Sequence, residues 1–146
     1  MSDTPGAHRC LFCAVVRKEE PAAIVLETPD AVAFLDARPV FKGHVLVVPR
    51  AHAATLVDLP AAALGPFFAD VQRIARAVEE GLEADGTFVA ANNKVSQSVA
   101  HFHVHVVPRR RKDGLRGFFW PRVRYASDAE RDELAARIAA RLATPG

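Results

Sequence analysis

Cysteine is nearly absent: Cys10 and Cys13 are the only two, in a chain that also has one methionine, one tryptophan and one tyrosine. Two cysteines cannot build the disulfide framework of a small secreted domain. In a reducing compartment a pair at this spacing reads as a metal or redox site before it reads as a structural bridge. Neither sign of charge is in excess, because 19 basic residues face 17 acidic ones for a formal net charge of +2. That excludes a molecule-wide field for nucleic acid or membrane and makes any anion binding local. No segment approaches the ~18 consecutive apolar residues of a membrane span, and residues 1–7 lack the apolar run of a signal peptide. A cytoplasmic protein with no membrane partner is expected. Repeats, low-complexity tracts and an interdomain linker are missing too, so the 146 residues, 50% of them hydrophobic, are expected to form a single domain over 1–146.

What is present is a series of short apolar runs around one long amphipathic segment. Leu11, Phe12, Val15 and Val16 fall on one side of a short helix that Pro21 ends. "AIVLE" (to Glu27) and "AVAFLD" (31–36) read as a hairpin turning at Thr28, Pro29 and Asp30, and "HVLVVP" (44–49) as a third strand. From Pro60 to Leu82 the residues Leu64, Phe67, Phe68, Val71, Ile74, Val78 and Leu82 recur at helical spacing, with Pro66 expected to kink the helix or mark its first turn. "GTFVAAN" (86–92) and "HFHVHVVP" (101–108) read as two more strands, joined by the polar "NKVSQS". Ser127 with Glu130 makes a capping box for a last helix reaching Leu142. This order predicts an α+β domain with a mainly antiparallel sheet of about five strands, one long helix and a C-terminal helix.

The chemistry concentrates in "AHFHVHVVPRR" (100–110), which holds three of the six histidines. On a strand, His101, His103 and His105 share one face while Phe102, Val104 and Val106 turn to the core. Alternate residues lie ~6 to 7 Å apart, so three imidazoles from one straight strand do not naturally enclose one ion. His44 opens "HVLVVP" and faces the same pocket if the two strands are neighbours. Cys10-x-x-Cys13 has zinc-ligand spacing, with His52 and His101 available as further donors; inert thiols and redox chemistry are the alternatives.

"SQSVAHFHVHVVPR" resembles the signature of the histidine triad (HIT) family of nucleotide hydrolases and transferases, His-φ-His-φ-His-φ-φ with φ apolar. "CLFCAVV", "AVAFLDARPVFKGHVLVVPRAH" and "GTFVAANNKVSQS" look like that family's blocks in the same order, over roughly residues 10–108. The resemblance implies a HIT-like fold and a homodimer. It also implies cleavage of a purine nucleotide, a dinucleoside polyphosphate or phosphoramidate, at the α-phosphorus through a nucleotidyl-histidine. His103 matches the nucleophile, with its other ring nitrogen held by a backbone carbonyl; His105 matches the leaving-group contact and His44 a supporting histidine. Ser98 and Gln97 match phosphate donors, Asp36 the acceptor for both ribose hydroxyls, and Leu11, Phe12, Val15 and Phe34 the walls around the base. Cys10, Cys13, His52 and His101 match the ligands of zinc-bearing members, for which Zn2+ is structural. One departure is Ala90, where several relatives carry an amide; Asn92 or Asn93 is the expected substitute.

Arg109, Arg110, Arg111, Lys112, Arg116, Arg122 and Arg124 form a basic stretch after the triad. It reads as a solvated loop, as a nucleic-acid patch or as a clamp for polyphosphate, and Phe118, Phe119 and Trp120 are expected to pack on the domain or a dimer interface. Two rival readings of the whole are a non-catalytic zinc-stabilised nucleotide-binding module and a catalytic metal within the triad. The expectation is metal at Cys10 and Cys13, with none between His103 and His105.

Overall fold

The computed structural model describes residues 10–115 and 122–142. It groups into two compact units, Met1–Asp113 and Gly114–Gly146. The first contains a short helix α1 (Leu11–Val16), strands β1 (Ile24–Glu27), β2 (Ala31–Leu35) and β3 (Val45–Pro49), and a 3-10 turn at Leu56–Asp58. The long helix α2 (Ala61–Gly81) and strands β4 (Gly86–Ala90) and β5 (Val104–Arg109) complete it. All five strands pair antiparallel, in the order β1-β2-β3-β5-β4. The expected α+β architecture is therefore the observed one.

The two faces of this sheet are covered differently. Phe67, Val71, Ile74 and Val78 of α2, spaced four, three and four residues apart, pack on Ala31, Ala33, Val45, Val47, Phe102, Val104 and Val106. On the opposite face Phe12 and Val15 of α1 meet Val32, Phe34, Leu46 and Val48. Burial from both sides explains why β2 and β3 read as continuous apolar runs. The β1–β2 turn is tied to α2 by Thr28, whose hydroxyl donates to the buried Asp70 at 2.6 Å and accepts from the amides of Asp30 and Ala31.

Two expectations need correction. Helix α2 runs through Pro66 from a start five residues earlier, at Ala61. Lying this near the N-terminus, Pro66 forfeits a single i→i−4 bond, which is tolerated in a helix whose next turns are buried. Strand β5 begins at Val104, so of the three triad histidines only His105 belongs to the ladder. The cause is local: the Pro49 carbonyl, which a longer ladder would use, accepts from the His101 ring at 2.8 Å, while the Phe102 amide donates to Ala53 at 2.6 Å. Alternation of faces nevertheless persists upstream of the strand, because Phe102, Val104 and Val106 all join the α2-side core.

In the second unit, helix α3 (Asp128–Leu142) begins at the expected capping box: the Glu130 amide donates to the Ser127 hydroxyl and the Ala126 amide to the Glu130 carboxylate. Arg116, Phe118, Phe119 and Trp120, for which the sequence suggested roles, lie outside the described residues. Among the described residues no helix is long and apolar enough to cross a membrane.

Candidate active site

Register places the site. Ile24 pairs with Phe34, Phe34 with Leu46 and Leu46 with His105, so these four form one row across β1, β2, β3 and β5 on the α1 side of the sheet. Above this row lies a cleft of about 710 Å³, walled by Leu11, Phe12, Val15, Phe34, Leu46 and Val99 and edged by Asp36, Ser98, His103 and His105. Phe12 stands edge-on to His103 with ring centres 5.0 Å apart, and edge-on to Phe34 at 5.4 Å. One wall is thus apolar and flat enough for a planar ring, and the other end carries imidazoles.

The hydrogen bonds assign each ring its tautomer. His103, 2% exposed, has Nδ1 2.7 Å from the His101 carbonyl. A carbonyl only accepts, so Nδ1 carries the proton and Nε2 keeps a free lone pair. His44, 3% exposed, accepts at Nδ1 from the Val40 amide at 3.1 Å, which puts its proton on Nε2, 2.9 Å from His105 Nδ1. His105 therefore accepts from His44 and has its own proton on Nε2. The cleft is thus edged by one imidazole with a bare nitrogen and one with a bare N–H, set 5.0 Å apart between ring centres.

Burial favours the neutral forms of His105 and His44. It lowers the pKa of His105 to about 4, reinforced by the neighbouring His103 and His44 and opposed by Asp36. Burial also lowers His44, against the pull of Asp36. Asp36 Oδ2 lies 3.6 Å from His44 Nδ1, too far for a hydrogen bond, while its Oδ1 accepts from the Arg38 amide at 2.8 Å. Asp36 is thereby fixed at the lip of the cleft by its own turn.

A second constellation lies behind the first. Cys10, Cys13, His52 and His101 each offer one donor atom within 4.8 Å of the others. Cys10 Sγ is 3.4 Å from His101 Nδ1, Cys13 Sγ is 3.4 Å from His101 Nδ1 and 3.3 Å from His52 Nδ1, and the two Nδ1 atoms are 3.3 Å apart. A tetrahedron with Zn–S of ~2.3 Å and Zn–N of ~2.0 to 2.1 Å has edges of about 3.3 to 3.8 Å, so the donor set fits such an ion. The His101 ring gives its Nε2 proton to Pro49, which leaves Nδ1 as the donor, the outer hydrogen bond typical of a ligating histidine. Burial pushes the Cys13 thiol up to about 11, with Cys10 adding to the rise; a dication reverses that preference. Asp36, His44 and His105 also approach one another, but the His44–His105 hydrogen bond accounts for that grouping.

Not every residue expected at the site is in the cleft. Gln97 turns away from it: its amide donates to the Ala54 carbonyl at 2.6 Å and accepts from the Lys94 amide at 2.8 Å. Asn93 accepts from the Leu56 amide at 2.8 Å, and Asn92 is exposed and not among the residues lining the cleft. Gln97 and Asn93 instead pin the loop that delivers Ser98, in which Lys94 and Ser96 have positive φ. Glu20 and Arg38, absent from the sequence reading, do line the cleft.

The basic stretch is also differently disposed. Arg109 grips Asp113 with two bonds, of 2.6 and 3.1 Å, and Arg110 donates to the Leu82 carbonyl at 2.7 Å. Both sit at the far end of β5, roughly 20 Å of strand from His103 at ~3.3 Å per residue. They do not clamp phosphate at the triad.

Residues 17–112 match the HIT domain. Protein hit of Bacillus subtilis is 35% identical over 143 residues, covering 94% of this chain and 97% of its own. An adenosine 5'-monophosphoramidase of Saccharomyces cerevisiae is 37% identical over 109 residues, 73% of this chain and 66% of its own. Among solved structures, a Streptococcus mutans protein superposes with a TM-score of 0.83 at 33% identity, over 97% of this chain and 91% of that one. A zinc-bound histidine triad family protein of Mycobacterium smegmatis gives 0.71 at 38% identity, over 92% and 99%. With the domain match spanning most of the chain and the three histidines in place, this protein is a member of the HIT family.

Proposed function

We propose that the protein is a HIT-type nucleotide hydrolase or nucleotidyl transferase, acting on a purine nucleotide through a covalent intermediate on His103. The observation that carries this is the pair of opposite tautomers in one cleft: a bare Nε2 on His103 and an N–H on His105. The S. cerevisiae relative, an adenosine 5'-monophosphoramidase, supports the substrate class.

In the first step the His103 Nε2 lone pair forms a bond to the α-phosphorus and the bond to the leaving nitrogen or oxygen breaks. His103 keeps its Nδ1 proton on the His101 carbonyl, so the positive charge that develops on the ring faces a fixed dipole. His105 donates its Nε2–H as a hydrogen bond to the bridging atom; with a pKa near 4 it is a donor of hydrogen bonds rather than a reservoir of protons, and the departing group takes its proton from water. Ser98 lines the cleft, where its hydroxyl reaches the phosphate oxygens, and Asp36 receives the ribose hydroxyls. Water then attacks phosphorus and releases a proton to solvent, the P–Nε2 bond breaks with its electron pair returning to Nε2, and a nucleoside monophosphate leaves.

Zn2+ bound by Cys10, Cys13, His52 and His101 would hold α1 against the segment preceding β5 and take no part in the bond changes. A homodimer in the cytoplasm completes the reading. Mass spectrometry of reactions with adenosine 5'-phosphoramidate, quenched without acid, tests it. An adduct on the peptide containing His103, lost in His103→Ala together with turnover, is expected. Tight nucleotide binding with no turnover of any phosphoramidate or dinucleoside polyphosphate would establish a non-catalytic binding module instead.

A further inference from the structure

The apolar part of the cleft ends in two charges that the proposed chemistry leaves unused. Glu20 and Arg38 both line it, both are exposed, and among the described residues neither side chain has an ion-pair or hydrogen-bond partner. Their placement follows from the sheet. Ile24 pairs with Phe34, and the Leu35 amide donates to the Ala23 carbonyl at 3.0 Å, so the chain entering β1 runs antiparallel beside the chain leaving β2. Glu20 lies four residues before β1 and Arg38 three residues after β2, so both stand at this end of the pair.

Backbone bonds hold both positions. The amides of Glu19 and Glu20 donate to the Ala14 carbonyl at 2.9 and 3.3 Å, and the Arg38 amide is held by Asp36. The row from His105 through Leu46 and Phe34 to Ile24 crosses three strand intervals, about 14 Å at ~4.8 Å each. A nucleotide whose phosphorus meets His103 and whose ribose meets Asp36 therefore lays its base along the wall that Phe12 and Phe34 form together, toward this rim.

We infer that Glu20 and Arg38 read the edge of the base and select guanine over adenine, an inference that rests on the nucleotide reading above. Guanine presents two adjacent donors, N1–H and the N2 amino group, and next to them two acceptors, O6 and N7. A carboxylate accepts from the first pair and a guanidinium donates to the second. Adenine offers a single amino donor flanked by ring acceptors, so a carboxylate facing its N1 sets lone pair against lone pair.

The test compares guanosine and adenosine 5'-phosphoramidates as substrates, with calorimetry of GMP and AMP binding alongside. The expected kcat/KM ratio favours guanosine by roughly tenfold to a hundredfold, the scale of hydrogen bonds to charged groups, with the difference in KM. It falls toward one in Glu20→Gln, and the GMP preference weakens in Arg38→Ala. A ratio near one in the wild type, or a preference unmoved by Glu20→Gln, overturns the inference while leaving the chemistry at His103 intact. Absence of turnover and adduct with both substrates overturns the chemistry, and the GMP-to-AMP binding ratio then still decides the base preference.

Discussion

Replacing His44 by leucine isolates one link of the histidine chain. The substitution removes the donor that holds His105 Nδ1 at 2.9 Å and the acceptor for the Val40 amide, in a position only 3% exposed. His105 itself remains, but nothing then dictates which of its nitrogens carries the proton or how the ring is turned. A neutral hydrogen bond is worth about 0.5–1.5 kcal/mol net, and losing that much orientation at the leaving group lowers kcat by about two- to tenfold. KM changes little, because the base walls and Asp36 are untouched. Steady-state kinetics with a phosphoramidate gives the split, and 15N shifts of the imidazoles report the tautomer: Nε2–H on His105 in the wild type, a mixture in the variant. An unchanged kcat, a loss carried by KM, or an Nδ1–H tautomer on His105 in the wild type would refute the reasoning.

Three further expectations concern metal, pH and packing. Titrating zinc into chelator-treated protein is expected to bind one ion per chain with release of thiol protons. At a thousandfold excess over Kd it adds about 4 kcal/mol, a rise in Tm on the order of 10 °C, and Cys13→Ala abolishes the response. Burial lowers the pKa of both His44 and His105 in the folded state, so the unfolded chain binds more protons than the folded one. Stability is then full above the unfolded value of about 6.5 and declines as pH falls toward 4; melts of the metal-free protein between pH 7 and 4.5 should show that fall, and a flat Tm counts against it. Phe102, wholly buried beside Phe67, should cost about 3–5 kcal/mol as Phe102→Ala, read as a drop in the urea midpoint.

Much of this was legible in the chain because periodicity carries it. The α2 stripe, the hairpin at Thr28 and the capping box at Ser127 follow from local patterning, and the structure reproduces them. What escaped depends on which distant backbone groups meet. The start of β5 shifts to Val104 because a side chain, His101, takes the Pro49 carbonyl, and no local propensity encodes that exchange. Gln97 looks like a ligand donor by position, yet the carbonyl of Ala54 and the amide of Lys94 claim both ends of its amide. Glu20 and Arg38 lie 18 positions apart, outside any strand, and no local pattern shows that both line one cleft. Arg109 and Arg110 follow the triad closely in sequence, yet the strand carries them to its far end, where Asp113 and the Leu82 carbonyl engage them.

One residue joins the two constellations by different parts of itself. His101 turns its ring toward the cysteines, while its carbonyl fixes the proton on His103. The backbone that orients His103 is therefore set partly by the His101 ring, which also takes the Pro49 carbonyl. A change of ring at position 101 that frees the Pro49 carbonyl therefore disturbs the proton position on His103 as well as the cysteine group, so the two constellations cannot be altered independently through this residue.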